Sequence, residues 1–221
     1  MIAICVGATA PRAATYAAQQ PTGEFTVAGG RILKNGAEFI IRGVSVAGPG
    51  LGQKHRTVLD THLIADVWRF NLVRVGCSIK PRPGPADVND LDEIVSAFTA
   101  RGIVVLIDPR DHIAGYYEDP PNPPGSPSLT DLTAWYKAVA ARYRANPNVW
   151  FEVMAGPGRR EEKKESEPWR EAHARVIAAI RGDAAARNIV VCEGKFRGDD
   201  AAPTGALAVP EASSAILTRG P

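Results

Sequence analysis

The stretch LTDLTAWYKAVAARYRANPNVWFEVMAGP, residues 129–157, decides the fold class. Leu132, Tyr136, Val139 and Tyr143 recur at spacings of three and four, so they share one face of a helix over 129–145. Ser128 followed by Asp131 resembles a capping box, with Asp in place of Glu. Asn146-Pro147 ends the helix, because proline drives the residue before it out of the helical region. Val149–Met154 is then an apolar run closed by Gly156-Pro157, the pattern of a buried strand. A helix passing within a few residues into a buried strand is the repeating unit of an α/β fold.

The same unit recurs on both sides. Val58–Arg69 reads as a helix with Leu59, Leu63 and Val67 on one face, and Leu72–Cys77 as a strand. Asp90–Ala100 places Leu91, Ile94, Val95 and Phe98 on one helical face, with Gly102 as a stop signal. Ile103–Asp108 is continuously apolar until its last residue, as expected of a strand covered on both faces. Residues 109–127 form a Pro/Gly-rich loop, and Arg159–Glu167 is a solvated, charge-rich excursion. Trp169–Arg181 reads as a helix through Trp169, Ala172, Val176 and Ile180, and Ile189–Glu193 as a strand. Residues 194–221 carry no strong period. Ahead of these units, residues 25–41 read as short strands with Gly29-Gly30 and Asn35-Gly36 at the turns, followed by a strand over Ile40–Val46. Trp68, Trp135 and Trp169 on helices, and Trp150 on a strand, are expected in the core.

Regular βα alternation implies a parallel sheet with right-handed crossovers. A doubly wound sheet and a (β/α)8 barrel both satisfy it. Neither G-x-G-x-x-G nor G-x-x-x-x-G-K-[ST] follows a strand, so a nucleotide site has no support. A net charge of +2 without basic runs gives no reason to expect nucleic acid or a membrane surface as partner. Cys5, Cys77 and Cys192 make neither a disulfide framework nor a zinc spacing, and no metal or cofactor is expected. Met1–Ala10 is apolar and small and Ala13–Ala18 offers small residues near a possible cleavage point, but no basic n-region precedes them, so residues 1–24 read as a disordered tail or the remnant of a secretory signal, with a secreted protein the expectation.

Several segments together resemble glycoside hydrolase family 5, the cellulase and mannanase family. They are NGAEFIIRGVSVAGP, RFNLVRVGC, ARGIVVLIDPRDH, the stretch over 129–157, and VIAAIRGDAAARNIVVCEG, in the family's order and spacing. The resemblance covers roughly residues 25–220. It implies an incomplete (β/α)8 barrel of about five parallel strands with an N-terminal β-hairpin, and a single domain over 25–221. It also implies retaining hydrolysis of β-1,4 bonds in glucan or mannan. Arg74 matches the family's second-strand Arg, which hydrogen-bonds the nucleophile. A core pair with a buried acid such as Glu152 is an equal reading. Arg42 and Arg74 are the cations on strands that could neutralise Glu152, which reads as structural. His112 matches the third-strand His, and Tyr116-Tyr117 could form part of a glycan platform.

The departures concern catalysis. Ala155 and Gly156 stand where the family carries Asn and the acid/base Glu. Glu161, Glu162, Glu165 and Glu167 lie just beyond, and loop carboxylates rarely gain the burial that tunes an acid. The strands bearing the His-x-Tyr motif, the nucleophile and the sugar-stacking Trp are expected to lack counterparts. An open sheet would then be marginal unless a partner chain completes it. The expectation is a cellulase-like domain without hydrolysis, binding β-linked polysaccharide or oligosaccharide. A non-catalytic glycan-binding pseudoenzyme and a truncated gene product are the alternatives.

Overall fold

The protein's structure, a computed structural model, describes residues 2–4, 25–28, 30–49, 57–79, 91–110, 119–121, 124–154, 167–193 and 215–218. The strands are β1 (Ile2–Ile4), β2 (Phe25–Ala28), β3 (Arg31–Lys34), β4 (Ala37–Glu38), β5 (Gly43–Ala47), β6 (Leu72–Cys77), β7 (Val104–Pro109), β8 (Val149–Glu152), β9 (Val190–Glu193) and β10 (Ala215–Thr218). The helices are α1 (Thr57–His62, widening into a π turn over Leu63–Val67), α2 (Asp92–Thr99), α3 (Leu129–Tyr143) and α4 (Glu167–Ala178, with a π turn over Ala179–Asp183).

The main sheet has the order β1-β10-β9-β8-β7-β6-β5. The five expected strands, β5 to β9, lie parallel and in chain order. A sixth, β10, extends the parallel run beside β9, and β1 adds to it antiparallel. No period in the sequence marks either short strand. Among the described residues the sheet is open, with β5 at one edge and β1 at the other.

Strand alternation divides the core in two. The outer face carries Val73, Val75, Val105, Ile107, Phe151 and Val190, packed under α2, α3 and α4 through Phe98, Leu132, Tyr136, Val139 and Ile177. The inner face carries Leu72, Val104, Leu106, Trp150, Ile189 and Val191, and the N-terminal strands cover it through Phe25 and Ile32. Phe25 meets Trp150 edge to face at 5.1 Å, and Phe39 meets it at 5.9 Å. These N-terminal strands form an antiparallel meander, β2-β3-β4. Its tight turn works because Asn35 and Gly36 both take positive φ, 52° and 82°.

Helix α3 starts as the sequence predicts. The Ser128 hydroxyl accepts from Asp131 N at 3.0 Å and Asp131 Oδ2 accepts from Ser128 N at 2.9 Å, a closed capping box. Trp135 and Trp150 are buried as expected. Helix α1 corrects the sequence reading. Leu63, Val67 and Trp68 are exposed, while Ile64 and Thr61 are buried. The buried stripe runs through Thr61 and Ile64, three residues apart, so Leu63 lies off it before the π turn takes effect; in that turn Trp68 N bonds Leu63 O at 2.8 Å, an i→i+5 step. One extra residue per turn rotates the buried stripe by about 100°.

Asn188 ties the far side together. Its buried Nδ2 lies within hydrogen-bond distance of the carbonyls of Tyr143 (3.3 Å), Asn146 (2.8 Å) and Val149 (2.9 Å). The end of α3 and the start of β8 are thereby held by one amide. Asn188→Ala leaves those carbonyls short of a donor and is expected to lower stability by about 2 kcal/mol in urea unfolding.

Two exposed ion pairs link other elements. Asp92 joins α2 to α3, accepting from Arg142 Nε at 2.6 Å and Tyr143 OH at 2.7 Å. The bond from Arg142 holds the Asp92 carboxyl below its ordinary value of 3.8, against the effect of burial. Burial would raise Asp119, but the Thr130 amide and hydroxyl and Arg175 outweigh it and lower that carboxyl too. A depressed folded value contributes stability that is complete above the unfolded value and is lost as pH falls through the folded one. The urea midpoint is therefore expected to fall below about pH 4, and the fall to be shallower in Asp92→Asn.

Candidate functional site

The polar residues of the inner face gather at the C-terminal ends of β6, β7 and β8. Arg74 follows Leu72 by two residues, so it shares that strand's inner face. Asp108 and Glu152 reach the same face one step further along β7 and β8. The Arg74 guanidinium donates to Glu152 twice, Nε to Oε2 at 2.7 Å and Nη2 to Oε1 at 2.6 Å. The same Nε lies 3.0 Å from Asp108 Oδ2. Arg110, just past β7, makes an ion pair with Asp108 through its own Nε. Its Nη2 reaches Ser45 Oγ of β5 at 3.4 Å.

Arg74 makes the pair with Glu152 that one of its two readings describes. Arg42, the other candidate cation for Glu152, lies just ahead of β5 and is exposed, with its amide bonded to the Asn71 side chain at 2.8 Å. The Asp108 and Glu152 side chains are 0% and 1% exposed, so each needs its cation. Two acids and two arginines balance in charge. Glu152 is also fixed from behind, since Tyr136 of α3 donates its hydroxyl to the Glu152 carbonyl. Both Glu152 oxygens already accept guanidinium N–H bonds, so this acid serves as an acceptor with no proton to give.

Asp108, Arg110 and Ser45 were not singled out as site residues by sequence reasoning. Asp108 carried a signal: an acid ending an otherwise apolar strand, which survives burial only with a cation beside it. His112, Tyr116, Tyr117, Ala155 and Gly156 lie outside the described residues. The thiols of Cys77 and Cys192 are buried, and burial pushes Cys192 up to about 12, which makes it unreactive. Among the described residues no group of three or more His, Cys, Asp or Glu could hold a metal ion. No helix among them is long and apolar enough to cross a membrane.

A parallel βα sheet in chain order, with its polar residues at the strand C-termini, defines the working face of a (β/α)-barrel protein. Comparison with known proteins gives the family. Residues 32–218 match the model of cellulase, glycosyl hydrolase family 5, and the chain belongs to that family. No curated protein matches the chain. Among solved structures, it is similar to the β-glucanase SdGluc5_26A of Saccharophagus degradans, at 20% identity and a TM-score of 0.61 over 77% of this chain and 54% of that one. That β-glucanase has also been solved with cellotetraose. The catalytic domain of Thermobifida fusca endoglucanase Cel5A gives 19% identity and a TM-score of 0.60 over 78% of this chain and 54% of that one. The major endoglucanase of Xanthomonas campestris pv. campestris gives 22% and 0.55 over 73% and 54%. The chain thus spans about half the length of these structures.

Removing Arg74 takes the cation from buried Glu152, whereas Asp108 keeps Arg110. Arg74→Met is expected to cost about 3–5 kcal/mol, read as a lowered denaturation midpoint or loss of soluble protein. Glu152→Gln, which leaves Arg74 paired with Asp108, is expected to cost less.

Proposed function

We propose that the chain is a cellulase-like domain that holds a β-1,4-linked glucan without hydrolysing it. One observation carries the reading: in the sequence that follows β8, Ala155 and Gly156 stand where the family pattern carries Asn and the acid/base Glu. A retaining glycosidase needs two carboxyl groups roughly 5–5.5 Å apart, one exchanging a proton and one attacking the sugar. Alanine and glycine offer neither a proton nor an amide for the 2-hydroxyl. Among the described residues, the acids Asp108 and Glu152 at the strand ends are buried and paired with arginines, so they make poor replacements.

The ligand class is favoured by the cellotetraose complex of the Saccharophagus degradans β-glucanase. Arg74 and His112 keep the family's residue types in the second- and third-strand segments, and Tyr116-Tyr117 supply rings on which pyranose faces pack. A polymeric glucan and the apolar N-terminal residues both favour a place outside the cell. The two parts of the proposal are tested separately. Carboxymethyl cellulose and a reporter β-glucoside are expected to show no turnover above buffer. Turnover that survives contaminant controls overturns the loss of hydrolysis. Insoluble cellulose is expected to retain the chain, and the Tyr116→Ala/Tyr117→Ala variant to be released. Absence of retention overturns the binding role.

A further inference from the structure

The rim of the inner face turns cations toward solvent and keeps its anions beneath them. The Arg74 and Arg110 side chains are 24% and 34% exposed, whereas those of Asp108 and Glu152 are 0% and 1% exposed. Arg110 is the outermost of the four and lies at the end of β7. Its Nε is held by Asp108, which fixes the plane of the guanidinium. Its Nη2 reaches across to Ser45 Oγ on the exposed edge strand β5.

That crossing is possible because the residues beneath it are small. Along the row beside Asp108 stand Gly76 of β6 and Ala47 of β5. Gly43 and Ala47 flank Ser45 on its own face, and both are exposed. A bulky side chain at any of these positions would stand between Arg110 and a ligand.

We propose that Arg110 makes this face selective for glycans that carry carboxylates, that is, β-1,4-linked chains containing uronic acid units. The inference rests on the glycan-binding reading above. A guanidinium edge only donates, so the group that best satisfies it only accepts. A carboxylate does so, and hydrogen bonds between charged partners are roughly twice as strong as neutral ones. A neutral sugar hydroxyl forms the weaker bond. The Ser45 hydroxyl adds a second donor to the same carboxylate.

The test compares two oligomers with the same backbone, a cello-oligosaccharide and a β-1,4-linked glucuronate oligomer of equal length. Each is titrated calorimetrically into the full chain at low and at high salt. The glucuronate is expected to bind about tenfold more tightly at low salt, with the preference reduced at high salt. Arg110→Gln is expected to bring the ratio near one. Ser45→Glu leaves the Asp108–Arg110 pair in place and sets an anion beside the guanidinium, so it is expected to abolish the preference without a folding defect. A preference that survives in Ser45→Glu, or in folded Arg110→Gln, overturns the inference. Equal affinities in the unmodified chain also overturn it while leaving glycan binding intact. Binding of neither oligomer overturns both.

Discussion

One guanidinium fixes the inner face of this sheet. Arg74 extends from β6 past β7 and binds carboxylates from β7 and β8, so three consecutive strands are locked in register by one side chain. A slip of one residue in any of them would send the charged group to the helix side, where nothing could neutralise it. Burying these charges brings no great net stability, because desolvation offsets most of the attraction. Its effect is on uniqueness: only one pairing of the strands leaves every buried charge matched. The apolar residues below, Trp150 foremost, then face a space that the N-terminal meander fills.

Much of this is readable from the residues alone. Strand β7 announces itself because both faces are covered, which leaves an unbroken apolar run from Ile103 to Ile107. Helix α3 is legible from its period, its capping box and its Asn146-Pro147 stop. Helix α1 escapes a reading of apolar periodicity, because its buried stripe includes the polar Thr61 beside Ile64 and leaves Leu63 outside. Strand β10 is invisible for a different reason: four residues hold too few alternations to be told from loop. At the site, the pairing of Arg74 with Glu152 follows from the cost of a buried acid. The place of Arg110 does not, because its role depends on Gly76 and Ala47 lying on neighbouring strands in space, and spacing along the chain says nothing about that.

The site also separates scaffold from chemistry. The arginine–carboxylate network at the strand ends joins residues of β6, β7 and β8 to one another. It is needed for charge balance whether or not the residues after β8 catalyse anything. Substitution at Ala155 and Gly156 could therefore remove a reaction without disturbing the strand that leads to it. Membership of glycosyl hydrolase family 5 describes the frame, and the residues at the strand ends decide what the frame does.

The packing of Phe25 and Phe39 on Trp150 sets an order of events during synthesis. The meander leaves the ribosome ahead of the strands it covers, and its docking partner Trp150 is made more than a hundred residues later. At the modest speed of translation, roughly 5–20 residues per second, the wait lasts several seconds. For that interval Phe25, Ile32 and Phe39 have no sheet to cover. A three-stranded meander this short holds little structure alone. The meander is thus made early and becomes stable late, and the nascent chain carries an adhesive apolar segment until β8 has joined the sheet.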